Sequence, residues 1–286
     1  GKVPLVMYFH QGGHGGNPPM EMMNKWFTRY LYGVQNGIDK GPKAWIVRES
    51  EPGTTSRRGA TASPTPYADY PNPEASMVIL RPTAGGIAQG GLTRDRVGRQ
   101  GAEKLVDNVE FSGAVLAKAE RSENRLLYAT PELRFPLHIS GTPRITLKLA
   151  SSKPAANLSV WLVVLPWADG QIGPANLITR GWADPQNHES LKHGGDYRSL
   201  ERGKPLTPGQ FYSMTFDLEP DDQIIPAGKR IGLMVMSSDR DFTLWPKPGT
   251  ELTVDLDGTS LRLPVVGGAA WFKEATKPKK QPARDH

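Results

Sequence analysis

LRFPLHISGTPRITLKLASSKPAANLSVWLVVLP, residues 133–166, carries the patterns that decide the fold class. Leu133, Phe135, Leu137 and Ile139 alternate with Arg134, Pro136 and His138, and further on Ile145, Leu147 and Leu149 alternate with Thr146 and Lys148. Successive side chains of a strand point to opposite faces, so a period of two means one buried face. From Leu158 to Leu165 the chain is apolar almost throughout. No helix-period segment interrupts these runs.

Downstream, Tyr212, Met214, Phe216 and Leu218 alternate again, and RIGLMVMSS (230–238), ELTVDLD (251–257) and SLRLPVV (260–266) follow with Pro or Gly turns between. Upstream, KAWIVRE (43–49) and SMVILRP (76–82) are short strand candidates. The Pro-, Ser-, Thr- and Gly-rich segment from Glu51 to Pro73 separates them and reads as a long surface loop. Roughly eight to ten strands with no helix between them predict a mainly β fold, an antiparallel sandwich of jelly-roll type. It is expected over residues 42–273, with residues 274–286, ending in KPKKQPARDH, as a disordered tail.

The first 41 residues differ. Val3–Phe9 is a short continuous apolar run, the pattern of a strand buried on both faces of a parallel sheet. Glycines end it. Asn17 suits an N-cap and Pro18 a first helical position, and Met23, Trp26, Phe27, Tyr30 and Val34 form one apolar helical face, closed near Asn36-Gly37. Residues 1–41 therefore read as the terminal strand and helix of an α/β layer. Because the chain opens on Gly1 and passes directly into a strand, it is expected to be the C-terminal part of something longer.

The formal charge is +6 and the pI about 9.4, but Lys and Arg are scattered rather than striped with aromatics, so nucleic-acid binding is not expected. No apolar run reaches the roughly 18 residues of a membrane helix. The absence of cysteine excludes disulfides and thiolate metal sites and leaves the compartment open between cytoplasmic and secreted.

YFHQGGHGG (8–16) places His10 and His14 in a glycine-rich loop after the apolar strand. Their spacing is that of a helical zinc pair, but Gly12 and Gly13 disfavour the helix and no Glu follows His10, so no metal is expected. A loop after a buried parallel strand sits at the carboxyl edge of the sheet, where α/β folds place their chemistry. A histidine between the last strand and final helix is the position it holds in the α/β-hydrolase order Ser, acid, His. No G-x-S-x-G occurs in the chain, and Gly258-Thr259-Ser260 reads as a turn. His188, Glu189 and His193 read as a solvated loop rather than a metal site, and Trp161, Trp167 and Trp182 as packing rather than a sugar platform. Asn157-Leu158-Ser159 matches a glycosylation sequon, a pattern common by chance.

HQGGHGG after LVMYF, the helix MEMMNKWFTRYLYGV, LLYATPELRFPLHISGTPRITLKLAS and LTPGQFYSMTFDLEPDDQIIPAGKRIGLMVMSSD together resemble the C-terminal half of the Xaa-Pro dipeptidyl-peptidase family, serine hydrolases related to cocaine esterase and α-amino acid ester hydrolases. The resemblance spans about residues 3–270, with a galactose-binding-like jelly roll as its larger part. It implies that His14 is the catalytic histidine and that the Ser and Asp of the triad lie before Gly1. It further implies release of Xaa-Pro dipeptides from peptide N-termini, a peptide substrate with proline second, an N-terminal catalytic domain as partner, and no cofactor. A homodimer is compatible with it. An esterase or acyl transferase of the same superfamily and a carbohydrate-binding jelly-roll module stay open as alternatives.

Overall fold

The computed structural model describes residues 4–10, 17–48, 64–169, 175–195 and 199–278. The chain divides into two compact units, Gly1–Ala75 and Ser76–His286.

In the first unit, β1 (Met7–His10) pairs parallel with β2 (Ala44–Val47), and β2 pairs antiparallel with β3 (Thr65–Tyr67). Parallel neighbours need a long crossover, and α1 (Met20–Tyr32) provides it, making a β-α-β unit. Met7 and Phe9 pack against the buried Ala44, Ile46 and Tyr67. α1 begins at Met20, after Pro19, and ends at Gly33 with φ 72°, several residues short of Asn36-Gly37. Asn36 pins the following turn by donating to Lys25 O (2.6 Å) and Thr28 Oγ1 (3.0 Å).

These pairings run across the expected boundary at 41/42. β2 completes the parallel layer rather than starting the sandwich, and β3 lies within the stretch expected to be loop. A four-residue apolar run carries no sign of which strand it will join. Most of that loop, residues 51–63, lies outside the described residues.

The second unit is the mainly β jelly-roll sandwich that the alternation predicts. One layer has the order β11 (Leu177–Ala183), β10 (Leu158–Leu165), β14 (Arg230–Met236), β7 (Leu126–Ala129), β5 (Gly90–Thr93), antiparallel except for the β5–β7 pair. Through β4 (Ala75–Pro82) it reaches β15 (Glu251–Val266) in the other layer. There β15 pairs with β6 (Ala102–Val106), β8 (Leu137–Gly141) and β9 (Arg144–Ser151), while β12 (Phe211–Asp217) extends β9 and β13 (Asp221–Ile225) extends β8.

β10 explains its own composition. Leu158, Val160, Leu162 and Val164 enter the main core between the layers, whereas Trp161, Val163 and Leu165 enter a second core with Leu116 and Ala117 of α2 (Gly113–Lys118). Both faces are covered, so both are apolar. ELTVDLD and SLRLPVV are one strand: Gly258 N donates to Asp255 Oδ1 (3.0 Å) and Thr259 Oγ1 to Asp255 O (2.7 Å), closing a bulge where a turn was expected.

The expected tail begins too early. α4 (Gly268–Ala275) ends in a fully buried Ala275 whose carbonyl accepts from Arg134 N at 2.7 Å, so residues 274 and 275 belong to the fold. Residues 279–286 lie outside the described residues. Among the described residues no helix is long and apolar enough to cross a membrane.

Candidate functional site

Parallel pairing sets the carboxyl ends of β1 and β2 side by side, His10 opposite Val47. His10 is exposed there and stacks on Tyr8 two residues earlier, ring centroids 6.2 Å apart, while burial pushes the Tyr8 phenol pKa up. His14 falls in sequence between β1 and α1 and lies outside the described residues. Any group on a loop between β1 and α1 departs from the carboxyl edge, the customary site of chemistry in open α/β sheets.

Arg48, one residue past β2, shares this edge and was not singled out from the sequence. It is only 5% exposed, donates to Tyr67 Oη and to Thr65 Oγ1 (3.3 Å), and lies over the Tyr67 ring at 5.8 Å. The guanidinium thus ties β3 to the end of β2 and fixes the edge. Its signal in the sequence, an arginine closing an apolar run, is the same as that of a surface residue. On the far side of the crossover, Arg29 donates to Asp39 (2.8 Å). Desolvation, the largest single influence, works against the charged Asp39 carboxyl, but the Arg29 hydrogen bond, a backbone hydrogen bond and the charges of Arg29 and Lys40 together hold its pKa below the usual range.

An imidazole at the edge can accept and return a proton, but acyl transfer also needs a nucleophile. Among the described residues of the first unit there is no serine.

The other candidates are engaged elsewhere. The His188 ring lies tilted against Tyr212, centroids 4.3 Å apart, and a Lys204 hydrogen bond at 2.9 Å holds Glu189 below the usual carboxylate range. His193 follows α3 (His188–Leu191) in an exposed turn. Trp161 is fully buried, and its indole N–H and that of Trp182 both donate to the buried Asp239 Oδ2, at 2.8 and 3.1 Å. Asn157 donates to Ser238 Oγ (2.9 Å) and Leu244 O (3.0 Å), which makes its amide part of the fold.

The first unit is a β-α-β arrangement with His10 at its carboxyl edge, and among the described residues of the second, a jelly roll, no catalytic cluster is assembled. The family model for the X-Pro dipeptidyl-peptidase C-terminal non-catalytic domain matches residues 36–282. A protein of Rhodopirellula baltica named "Putative Xaa-Pro dipeptidyl-peptidase" is 54% identical over 268 residues, covering 93% of this chain and 40% of that protein. A CocE/NonD family hydrolase from Staphylococcus aureus superposes with a TM-score of 0.61 at 12% identity, covering 86% of this chain and 45% of the other. An α-amino acid ester hydrolase superposes at 0.56 with 17% identity, covering 85% and 44%. At such identities the two structures speak for the fold alone. The chain belongs to the X-Pro dipeptidyl-peptidase C-terminal non-catalytic domain family. It spans about 40% of the length of the curated relatives it matches.

Proposed function

We propose that this chain is the C-terminal part of a serine exopeptidase that releases Xaa-Pro dipeptides from peptide N-termini. His14 is the general base of its triad, and the Ser and Asp lie in a catalytic domain N-terminal to Gly1. In that role the imidazole takes the serine proton during attack on the scissile carbonyl and returns it to the leaving amine, while the acid fixes its tautomer. Xaa-Pro specificity resides in that preceding domain. His10 and Arg48 order the edge from which the His14 loop departs, and neither touches the reacting atoms.

The observation that carries this reading is the β1-α1-β2 unit, with His14 falling in sequence between β1 and α1, in a chain whose relatives extend well beyond it. The test is turnover by the chain alone. The 286-residue protein, assayed with an Xaa-Pro chromogenic amide and a short-chain ester, is expected to hydrolyse neither above a mock-purified control. Amide turnover above that control would mean that a complete site lies within these residues.

A further inference from the structure

Of the three tryptophans the sequence brings forward, two are committed to Asp239. Trp167 is not. Its buried indole N–H finds no acceptor among the described residues, and the residue lines an open cleft of about 610 Å³ in the second unit. That volume is within the ordinary range for small-ligand sites.

The cleft is built on fixed elements. Its apolar floor includes Leu127 of β7, Leu165 of β10 and Ala117 of α2. Asn176 clamps the chain beside Trp167 from both sides, accepting from Ala168 N (2.6 Å) and donating to Ala168 O (3.0 Å). Lys118 joins the end of α2 to Asp169 at 3.0 Å. Buried Arg125 holds the same helix end by donating to Leu116 O (3.2 Å) and Ala119 O (2.7 Å). A site held this way loses little ordering entropy on binding.

Around the floor stand carboxylates at Glu120, Glu132 and Asp169, cations at Lys118 and Arg230, and the Gln89 amide. Asp169 is already neutralised by Lys118, so the lining is close to balanced in charge and offers both donors and acceptors beside an indole. Beyond the Lys118–Asp169 pair, an anion would meet Glu120 and Glu132 and a cation would meet Arg230, so either sign finds a like charge on this rim. A sugar ring matches it: the C–H face lies on the aromatic and aliphatic floor, and neighbouring hydroxyls donate to carboxylates and accept from the guanidinium and amide.

We propose that this cleft of the jelly roll binds a neutral oligosaccharide. The proposal is independent of the peptidase reading, since none of its residues belongs to the first unit.

The test titrates the whole chain with cellotriose, maltotriose and triacetylchitotriose, followed by tryptophan fluorescence and calorimetry. At least one is expected to bind saturably with Kd below about 10 mM. Trp167→Ala should weaken that binding at least about tenfold, a loss of about 1.4 kcal/mol or more, and Glu120→Gln, at an exposed rim position, should weaken it several-fold without moving the unfolding midpoint. Trp245→Ala, at a residue 66% exposed and outside the cleft, should leave binding unchanged. Absence of saturable binding by all three sugars overturns the proposal. So does binding that Glu120→Gln and Trp167→Ala leave intact, or, should Trp167→Ala not fold, binding that Glu120→Gln and Glu132→Gln both leave intact. Saturation by trilysine with no sugar binding would assign the cleft to cations instead.

Discussion

Arg125 is a fully buried cation whose partners are four backbone carbonyls: Gly86 (2.6 Å), Ile87 (2.8 Å), Ala119 (2.7 Å) and Leu116 (3.2 Å). Desolvation lowers its pKa to about 10, so it stays charged at neutral pH. Beside it, Glu103 accepts from Tyr128 Oη (2.7 Å) and from the Gly85 and Gly86 amides, and burial first, then Glu103, drives the Tyr128 phenol pKa far up. Arg125→Met should orphan the carbonyls and cost the second unit roughly 3–5 kcal/mol, whereas Tyr128→Phe should cost about 1–2 kcal/mol. Urea unfolding of both variants measures the difference, and equal losses would mean that the guanidinium is not the hub. None of this was legible. An arginine ahead of LLYA looks like a solvated strand end, because periodicity reports apolar faces and is silent on polar groups satisfied inside. The parallel strand ahead of the histidines was legible for the opposite reason, since a continuous apolar run closed by glycines is a local pattern.

Elements were legible where one face or both faces are uniformly apolar. The alternating β9 and the continuous β10 stand where their patterns predict, with Ile145, Leu147, Leu149, Val160 and Leu162 fully buried. β15 was misread because Gly258 resembles a turn, whereas here it lets the strand bulge against the Lys148 side chain. At that bulge Lys148 meets Asp255 at 2.7 Å, and this hydrogen bond, outweighing partial burial, holds the Asp255 carboxyl below its usual pKa. A depressed folded pKa contributes stability that is present above the unfolded value, near about 4, and lost as pH falls through the folded one. Asp255→Asn should therefore lower the melting temperature at neutral pH, and the gap from the parent protein should close on acidification below about pH 4. Thermal unfolding across that range checks this, and a gap that widened on acidification would reverse the assignment.

At the scale of the molecule, the division at Ala75/Ser76 has consequences for folding. A chain beginning at Ser76 keeps every strand of the sandwich beyond the first residue of β4 and should unfold as one cooperative transition with a strand-dominated far-ultraviolet spectrum. A chain beginning at Gly41 keeps β2 and β3 without β1, uncovering part of the face that buries Ala44 and Ile46, and should aggregate more readily. Sedimentation and circular dichroism of the two distinguish these outcomes, and better behaviour from the Gly41 start would return β2 to the sandwich. Which partner the four-residue β2 chooses was not legible, because a short apolar run fits either layer. The central claim is that His14, and not His10, is the base of a peptidase triad completed upstream. Its most direct measurement is kcat for an Xaa-Pro anilide in an enzyme carrying this chain behind a complete catalytic domain, with each histidine changed to alanine in turn. His14→Ala should cut kcat by roughly four orders of magnitude, as loss of a triad member does, and His10→Ala far less. A large loss for His10→Ala with near-normal kcat for His14→Ala would contradict the account.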